Sequence, residues 1–262
     1  MIRRTIMNIT AALALIASVA TPASADVFAD VSSRGVIRIG VPADLIPFGF
    51  QNVNREPEGF DIDLANMVAK SLGVKAELIP ITGANRIPFL LTDKVDITVS
   101  LMGLTPERAK QVMFSAPYAS TSLAVFGPKN LAVTSAAELK DFKVAATKGN
   151  TEELALTAMN PGANIMRTEN DATTIAAYLA GQAQLFAASS FVAVELEKKN
   201  PGKEFDLKFT IRPSPGHMAV KTGEHNMLQW LNSFILFNKI NGTLDNLHRK
   251  WLGRAMDPLP TL

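Results

Sequence analysis

Short apolar runs alternate with segments of helical period along most of this chain, and that alternation restricts its fold more than any other feature. VIRIGV (36–41) reads as a strand. GFDIDLANMVAKSLG (59–73) reads as a helix in which Leu64, Val68 and Leu72 recur four apart before a stop at Gly73. KAELIPI (75–81) is a strand, NRIPFLLTD (85–93) a short helix and VDITVS (95–100) a strand. Such a βαβαβ series predicts a mostly parallel sheet with helices on its faces. The pattern breaks at FGPKN (126–130), where Gly127 and Pro128 punctuate the chain, and a second series follows. Its strands are FKVAAT (142–147), ANIMRT (163–168) and QLFAAS (184–189). They lead in turn into a helix from Thr151, a helix over 171–180, and SFVAVELEKKN (190–200). A second Pro/Gly cluster, RPSPGH (212–217), precedes a strand HMAVKT (217–222) and two closing helices, with Met227, Leu228, Leu231, Phe234 and Ile235 on one face. Two α/β series joined at two breaks predict two lobes, the second inserted into the first. The closing helices are left free to pack on either.

The first residues predict export. Arg3 and Arg4 precede the apolar AALALIASVA (11–20), and ASA (23–25) supplies a small-residue cleavage pattern, so a signal peptide over 1–25 is expected to be cut between Ala25 and Asp26. A short membrane anchor is the other reading of that run, although no later apolar stretch reaches the ~20 residues of a span. Removing residues 1–25 takes away two of the 26 basic residues and none of the 24 acidic ones, so the remaining charge is balanced. Balanced charge argues against a nucleic-acid or anionic-membrane partner, both of which depend on basic patches. There is no cysteine, which excludes disulfides, thiol nucleophiles and thiolate metal sites and leaves core burial to hold the fold. His217, His225 and His248 are isolated, and no H-E-x-x-H, G-x-S-x-G or G-x-G-x-x-G occurs. TKGNTEE (147–153) lacks the lysine of a phosphate-binding loop. No metal, cofactor or catalytic set is therefore expected.

Two segments instead share a design suited to an anion. In SLMGLTPERAKQVMFSAPY (100–118), Thr105 can cap a helix, Pro106 fits its first position and Arg108 adds a guanidinium to the first turn. In TKGNTEEL (147–154), Gly149 permits a tight turn and Asn150-Thr151 can open the next helix. Both lie beyond the carboxyl ends of strands, where open α/β sheets bind ligands. One helix start from each lobe could grip a carboxylate from two sides, each charge-assisted hydrogen bond contributing roughly 1.5–3 kcal/mol. The plainer alternative for Arg108 is a salt bridge to Glu107 or another surface acid.

GFDIDLANMVAKSL (59–72) resembles the signature of the family 3 periplasmic solute-binding proteins, the polar amino-acid receptors of ABC importers. VDITVSLMGLTPERAKQVMFSAPY (95–118), KVAATKGNTEE (143–153) and INGTLDNLHRKWLG (240–253) resemble three further segments of that family, and GANRIP (83–88) its variant in members that take acidic or other polar amino acids. The resemblance implies a two-lobed type II binding-protein fold, with 26–120 plus 215–262 in lobe 1, 121–214 in lobe 2 and hinges at about 119–130 and 210–217. It implies a monomer in the periplasm that binds a small carboxylate, closes on it and delivers it to an inner-membrane ABC permease. Arg108 would pair with the ligand carboxylate, and the backbone at Gly103 or Leu101, with Thr151, would complete the clamp. Asp61 and Asp63 belong to the signature and are read as helix-dipole partners rather than ligand contacts.

Three positions depart from the family pattern. Gly103 stands where Ser or Thr is common, and Leu45 where an aromatic ring usually covers the ligand. Ser189 stands where the family's aspartate meets the α-ammonium. Either another acid moves in, with Glu152 and Glu195 nearby, or the ligand has no free α-ammonium. Arg86 is a second cation for the cleft or a member of a structural ion pair. The rival functions on this scaffold are a cyclohexadienyl-type dehydratase, for which Glu152 would supply the acid, and a ligand sensor for a separate membrane partner.

Overall fold

The apolar alternation resolves into twelve strands and nine α-helices over residues 26–259, the part of the chain described by the computed structural model; the expected signal peptide lies outside it. The first elements are α1 (Val27–Arg34), β1 (Val36–Pro42), β2 (Phe50–Gln51), β3 (Pro57–Glu58), α2 (Phe60–Leu72) and β4 (Lys75–Ile81). Next come α3 (Arg86–Leu91), β5 (Ile97–Met102), α4 (Pro106–Ala109), β6 (Val112–Ala119), β7 (Ser122–Gly127) and β8 (Val144–Thr147). Then follow α5 (Thr151–Met159), β9 (Ile165–Thr168), α6 (Asp171–Leu179), β10 (Leu185–Ser189) and α7 (Ser190–Lys199). The last are β11 (Asp206–Pro213), β12 (Gly216–Lys221), α8 (His225–Ile240) and α9 (Thr243–Leu252).

Two five-stranded sheets carry the lobes, in the orders β4-β1-β5-β12-β6 and β11-β7-β10-β8-β9. Each is mixed, with four strands running in one sense, as the βαβ series predicts, and one strand reversed. β4, β1 and β5 run parallel, as do β9, β8 and β10, but β12 is antiparallel to β5 and β6, and β7 to β10 and β11. The cause is the chain's double passage. β6 carries it out of the first sheet and β12 carries it back, so the two must run in opposite senses, and β7 and β11 do the same in the second sheet. The passages lie side by side, with the Ser214 N–H donating to the Thr121 carbonyl at 2.9 Å. α8 packs on β6 and β12, and α9 on α2, which assigns the closing helices to the first sheet.

The signature acids do more than face a helix dipole. Asp63 accepts from Lys250 Nζ at 2.6 Å and Trp251 Nε1 at 2.8 Å, and so ties α2 to α9. Asp61 is fully buried, and its Oδ1 accepts from the Tyr118 hydroxyl at 2.7 Å. That hydroxyl in turn accepts the Leu101 N–H at 2.7 Å. Leu101 sits at φ 43°, a left-handed conformation that a leucine holds only when its surroundings fix it. Phe60 stacks on Tyr118 and meets His248 edge-on, while Phe191 from the second lobe reaches Phe48 and the same His248. His248 and His217 are packing groups and His225 is exposed: burial holds His248 down at about 4, and the His217 Nδ1 donates to the Ser115 carbonyl at 2.7 Å. Among the described residues, no three His, Cys, Asp or Glu side chains gather as a metal would require.

Burial raises the Asp61 carboxyl from its ordinary 3.8 to about 7, against the opposing hydrogen bond from Tyr118. The folded protein therefore keeps this proton between about pH 4 and pH 7 while the unfolded chain loses it, so this group's contribution falls as pH rises through that window and levels off above it. Asp61→Asn removes the ionisation while keeping an acceptor for Tyr118. Urea unfolding at pH 4.5 and pH 7.5 should show a smaller loss of stability across the window in this variant than in wild type, the difference reaching a few kcal/mol at most.

Candidate functional site

The ends of β5, β8 and β10 point at the seam between the lobes, and the helices that follow them, α4, α5 and α7, start there. Thr105 caps α4 as its sequence predicts: its Oγ1 accepts the Arg108 N–H at 3.2 Å, with Pro106 in the first turn. This places the Arg108 guanidinium, only 5 % exposed, between the lobes. Its Nη1 donates to the Gly103 carbonyl at 2.6 Å and to Thr151 Oγ1 at 2.9 Å, and its Nη2 donates to the Gly149 carbonyl at 2.7 Å. Neutral oxygens of both lobes thus occupy the donors that a ligand carboxylate would use. No salt bridge forms with Glu107, which is exposed, so the surface-pair alternative is set aside. Burial lowers the Arg108 pKa to about 10, with Arg86 and Arg212 adding to the effect and Glu152 opposing it, and the group stays charged at neutral pH.

In front of this bridge lies a cavity of about 20 Å³, enough for one water-sized group. Leu45, Arg86 and Leu101 line it from the first lobe, Asn150, Thr151 and Ser189 from the second. Six of the eight residues expected at the site are therefore brought together. Arg108 lies behind it, on a wider apolar groove of about 730 Å³ that it shares with Arg86 and Thr151. Leu101 contributes its side chain, since its N–H is already given to Tyr118. Gly103 also stands outside the cavity, and its departure from the family's hydroxyl residue has a steric cause. A Cβ there would fall 2.6 Å from Ser214 Oγ and 2.7 Å from Thr151 Oγ1, so those hydroxyls occupy the space a side chain would need.

The cavity gathers polar atoms that the fold leaves unsatisfied. Arg86 Nε, Thr121 Oγ1, Asn150 Oδ1 and Ser189 Oγ are buried without a hydrogen-bond partner among the described residues, and all four residues line it. Each such atom costs about 1–3 kcal/mol, which a binding site offsets only when something polar enters. Arg86, 4 % exposed, forms no ion pair among the described residues, which sets aside its structural reading.

Of the two acids expected to compensate for Ser189, only Glu152 lines the cavity. Burial raises its pKa, and its Oε1 accepts from Asn150 Nδ2 at 3.2 Å. Glu195 instead pairs with Lys198 at 2.7 Å and faces a separate groove beside α6 and α7. Asp171, which the sequence reading did not single out, lines both spaces. Its signal was present: it opens the helix predicted over 171–180, the same kind of position that marked Thr151. Thr121 and Ser214, on the two passages between sheets, carry no such mark.

The family of bacterial extracellular solute-binding proteins, family 3, matches residues 37–254. The ABC transporter glutamine-binding protein of Bacillus subtilis is 30 % identical, over 87 % of this chain and 85 % of its own. The structure of an ancestral arginine-binding protein bound to arginine superposes with a TM-score of 0.79 at 32 % identity, covering 84 % of this chain and 99 % of that one. The structure of the ancestral amino acid-binding protein AncCDT-1, a precursor of cyclohexadienyl dehydratase, superposes with a TM-score of 0.78 at 36 % identity, covering 86 % of this chain and 98 % of that one. These relatives are binding proteins by name, and this chain shares their type II periplasmic binding-protein fold and is a binding protein rather than the dehydratase weighed above. On a match spanning nearly all of its described length, the chain belongs to the bacterial extracellular solute-binding proteins, family 3.

Proposed function

We propose that this protein is the periplasmic receptor of an ABC importer and binds one small amino acid at the seam between its lobes. The observation that carries this reading is the cluster of four unsatisfied buried polar atoms around one cavity, on residues drawn from both lobes and from the passage between them. An amino acid is larger than about 20 Å³, so the lobes part to admit it. They bend at 119–130 and 210–217, the segments that include both passages, and residues 26–120 with 215–262 move against 121–214. Arg108 then exchanges the Gly149 and Thr151 oxygens for a carboxylate, a stronger acceptor because it is charged. A ligand that touches both lobes favours the shut form by its differential affinity, and a permease in the inner membrane reads that form. The receptor acts as a monomer. Glutamine and arginine, which the relatives bind by name, are the first amino acids to try.

A thermal-shift screen of the twenty amino acids and small organic acids tests the reading. A true ligand at a hundred times its Kd adds about 2.7 kcal/mol, or roughly 5–10 °C for a chain of this size. Small-angle scattering should show the dimensions of the protein change on addition of that compound. Absence of any shift across the panel would overturn the proposal. Arg108→Ala should weaken binding by about 100-fold or more and abolish the scattering change, while its circular dichroism stays that of wild type. Gly103→Ala places a methyl against Ser214 and Thr151 and should reduce affinity by roughly 5- to 150-fold through hindered closure, measurable by calorimetry.

A further inference from the structure

A buried ammonium needs a carboxylate, and residue 189 offers only a hydroxyl. Two acids reach the cavity from elsewhere in the second lobe. Glu152 faces the cations Arg86 and Arg108, whose charges oppose the effect of its burial. Asp171 has no cationic partner within ion-pair distance among the described residues. Its Oδ1 accepts from the Thr147 hydroxyl at 2.9 Å and from Asn150 Nδ2 at 2.8 Å. Those two bonds fix the carboxylate and leave Oδ2 without a donor among the described residues. Asp44 accepts the neighbouring Ala172 N–H at 2.9 Å and so seals the lobes together beside it.

The same cavity holds Ser189 Oγ and Thr121 Oγ1, both buried and both unpartnered. An ammonium presents three N–H donors, and one carboxylate oxygen with two hydroxyl oxygens is a matching set. The cavity also has the size of one such group. Resting on the amino-acid reading above, we infer that Asp171, with Ser189 and Thr121, receives the α-ammonium of the bound amino acid. The charge that the family places at the end of β10 is thereby supplied from the start of α6. The ligand class narrows to compounds with a free α-amino group beside the carboxylate, and simple organic acids are excluded.

The charged groups facing Asp171 are Glu152 on α5, Arg86 on α3 and Asp44 on the loop after β1, with Glu195 and Lys199 of α7 across the outer groove. Burial, with Glu152 and Asp44 adding to it and Arg86 opposing, raises Asp171 to about 7. A cation seated on it would draw the carboxyl back to its ionised form.

Calorimetric titration with L-glutamine and glutaramate (glutamine without its α-amino group), and with L-arginine and desamino-arginine, tests the assignment. Any other amino acid that stabilises the protein in the screen is compared with its own desamino acid. Wild type should prefer the amino acid by about 10- to 150-fold, the range of an ionic hydrogen bond. Asp171→Asn keeps an acceptor for Thr147 and Asn150 and should lose that preference. Adding Ser189→Asp to it should restore the preference, which a merely structural role for Asp171 would not allow. Equal binding of the two acids by wild type, or an undiminished preference in Asp171→Asn, would overturn the assignment and leave the amino-acid reading standing. Failure of every amino acid to bind wild type would remove both.

Discussion

One guanidinium joins the halves of this molecule. Arg108 spends its donors on a carbonyl of its own lobe and on two oxygens of the other, so beside the apolar contact of Phe191 with Phe48 and His248 the seam is crossed by hydrogen bonds. Such a contact is reversible. A charged group bonded to neutral oxygens can trade them for a charged oxygen at a net gain, whereas two fused hydrophobic faces could not part without exposing apolar surface to water. The close fit at Gly103 follows from the same arrangement, because the guanidinium meets Thr151 only if the chain behind it carries no side chain.

A second set of contacts steadies the first lobe itself. Asp63 ties α2 to α9, and Asp61 works through Tyr118 to hold Leu101 in a conformation leucine seldom adopts. A buried acid is a poor stabiliser, since burial discourages its charge. Its position in the fold makes sense if the backbone it steadies is the edge of the cavity, where a small displacement would move both Leu101 and the turn toward Gly103.

Much of this was legible from residue order. Helix and strand periods located β4 at 75–81 and the start of α5 at Thr151, and the anion-seeking design of the Arg108 turn could be read from Thr105, Pro106 and Arg108. The second-lobe strand β11 was missed although Leu207, Phe209 and Ile211 alternate with polar residues, because a half-exposed edge strand gives a weak pattern. The one reversed strand of each sheet was missed for a different reason: period says that a segment is extended, not which neighbour it will join. The same limit hid Thr121 and Ser214. Each is an ordinary polar residue in its own stretch, and becomes part of a site only when chain segments far apart in sequence converge; Asp171 did carry a mark, as the first residue of a predicted helix.

The insertion of β12 between β5 and β6 also governs the order in which the polypeptide can be completed. All the strands of the second sheet precede residue 216, so that unit has its full set while the first still has a slot at its interior. Until the late strand arrives, β5 and β6 have no partner between them, and the earlier lobe in sequence is the later one to be finished. A chain cut between Pro213 and Gly216 would therefore carry one sheet with all its strands and one with an unclosed gap.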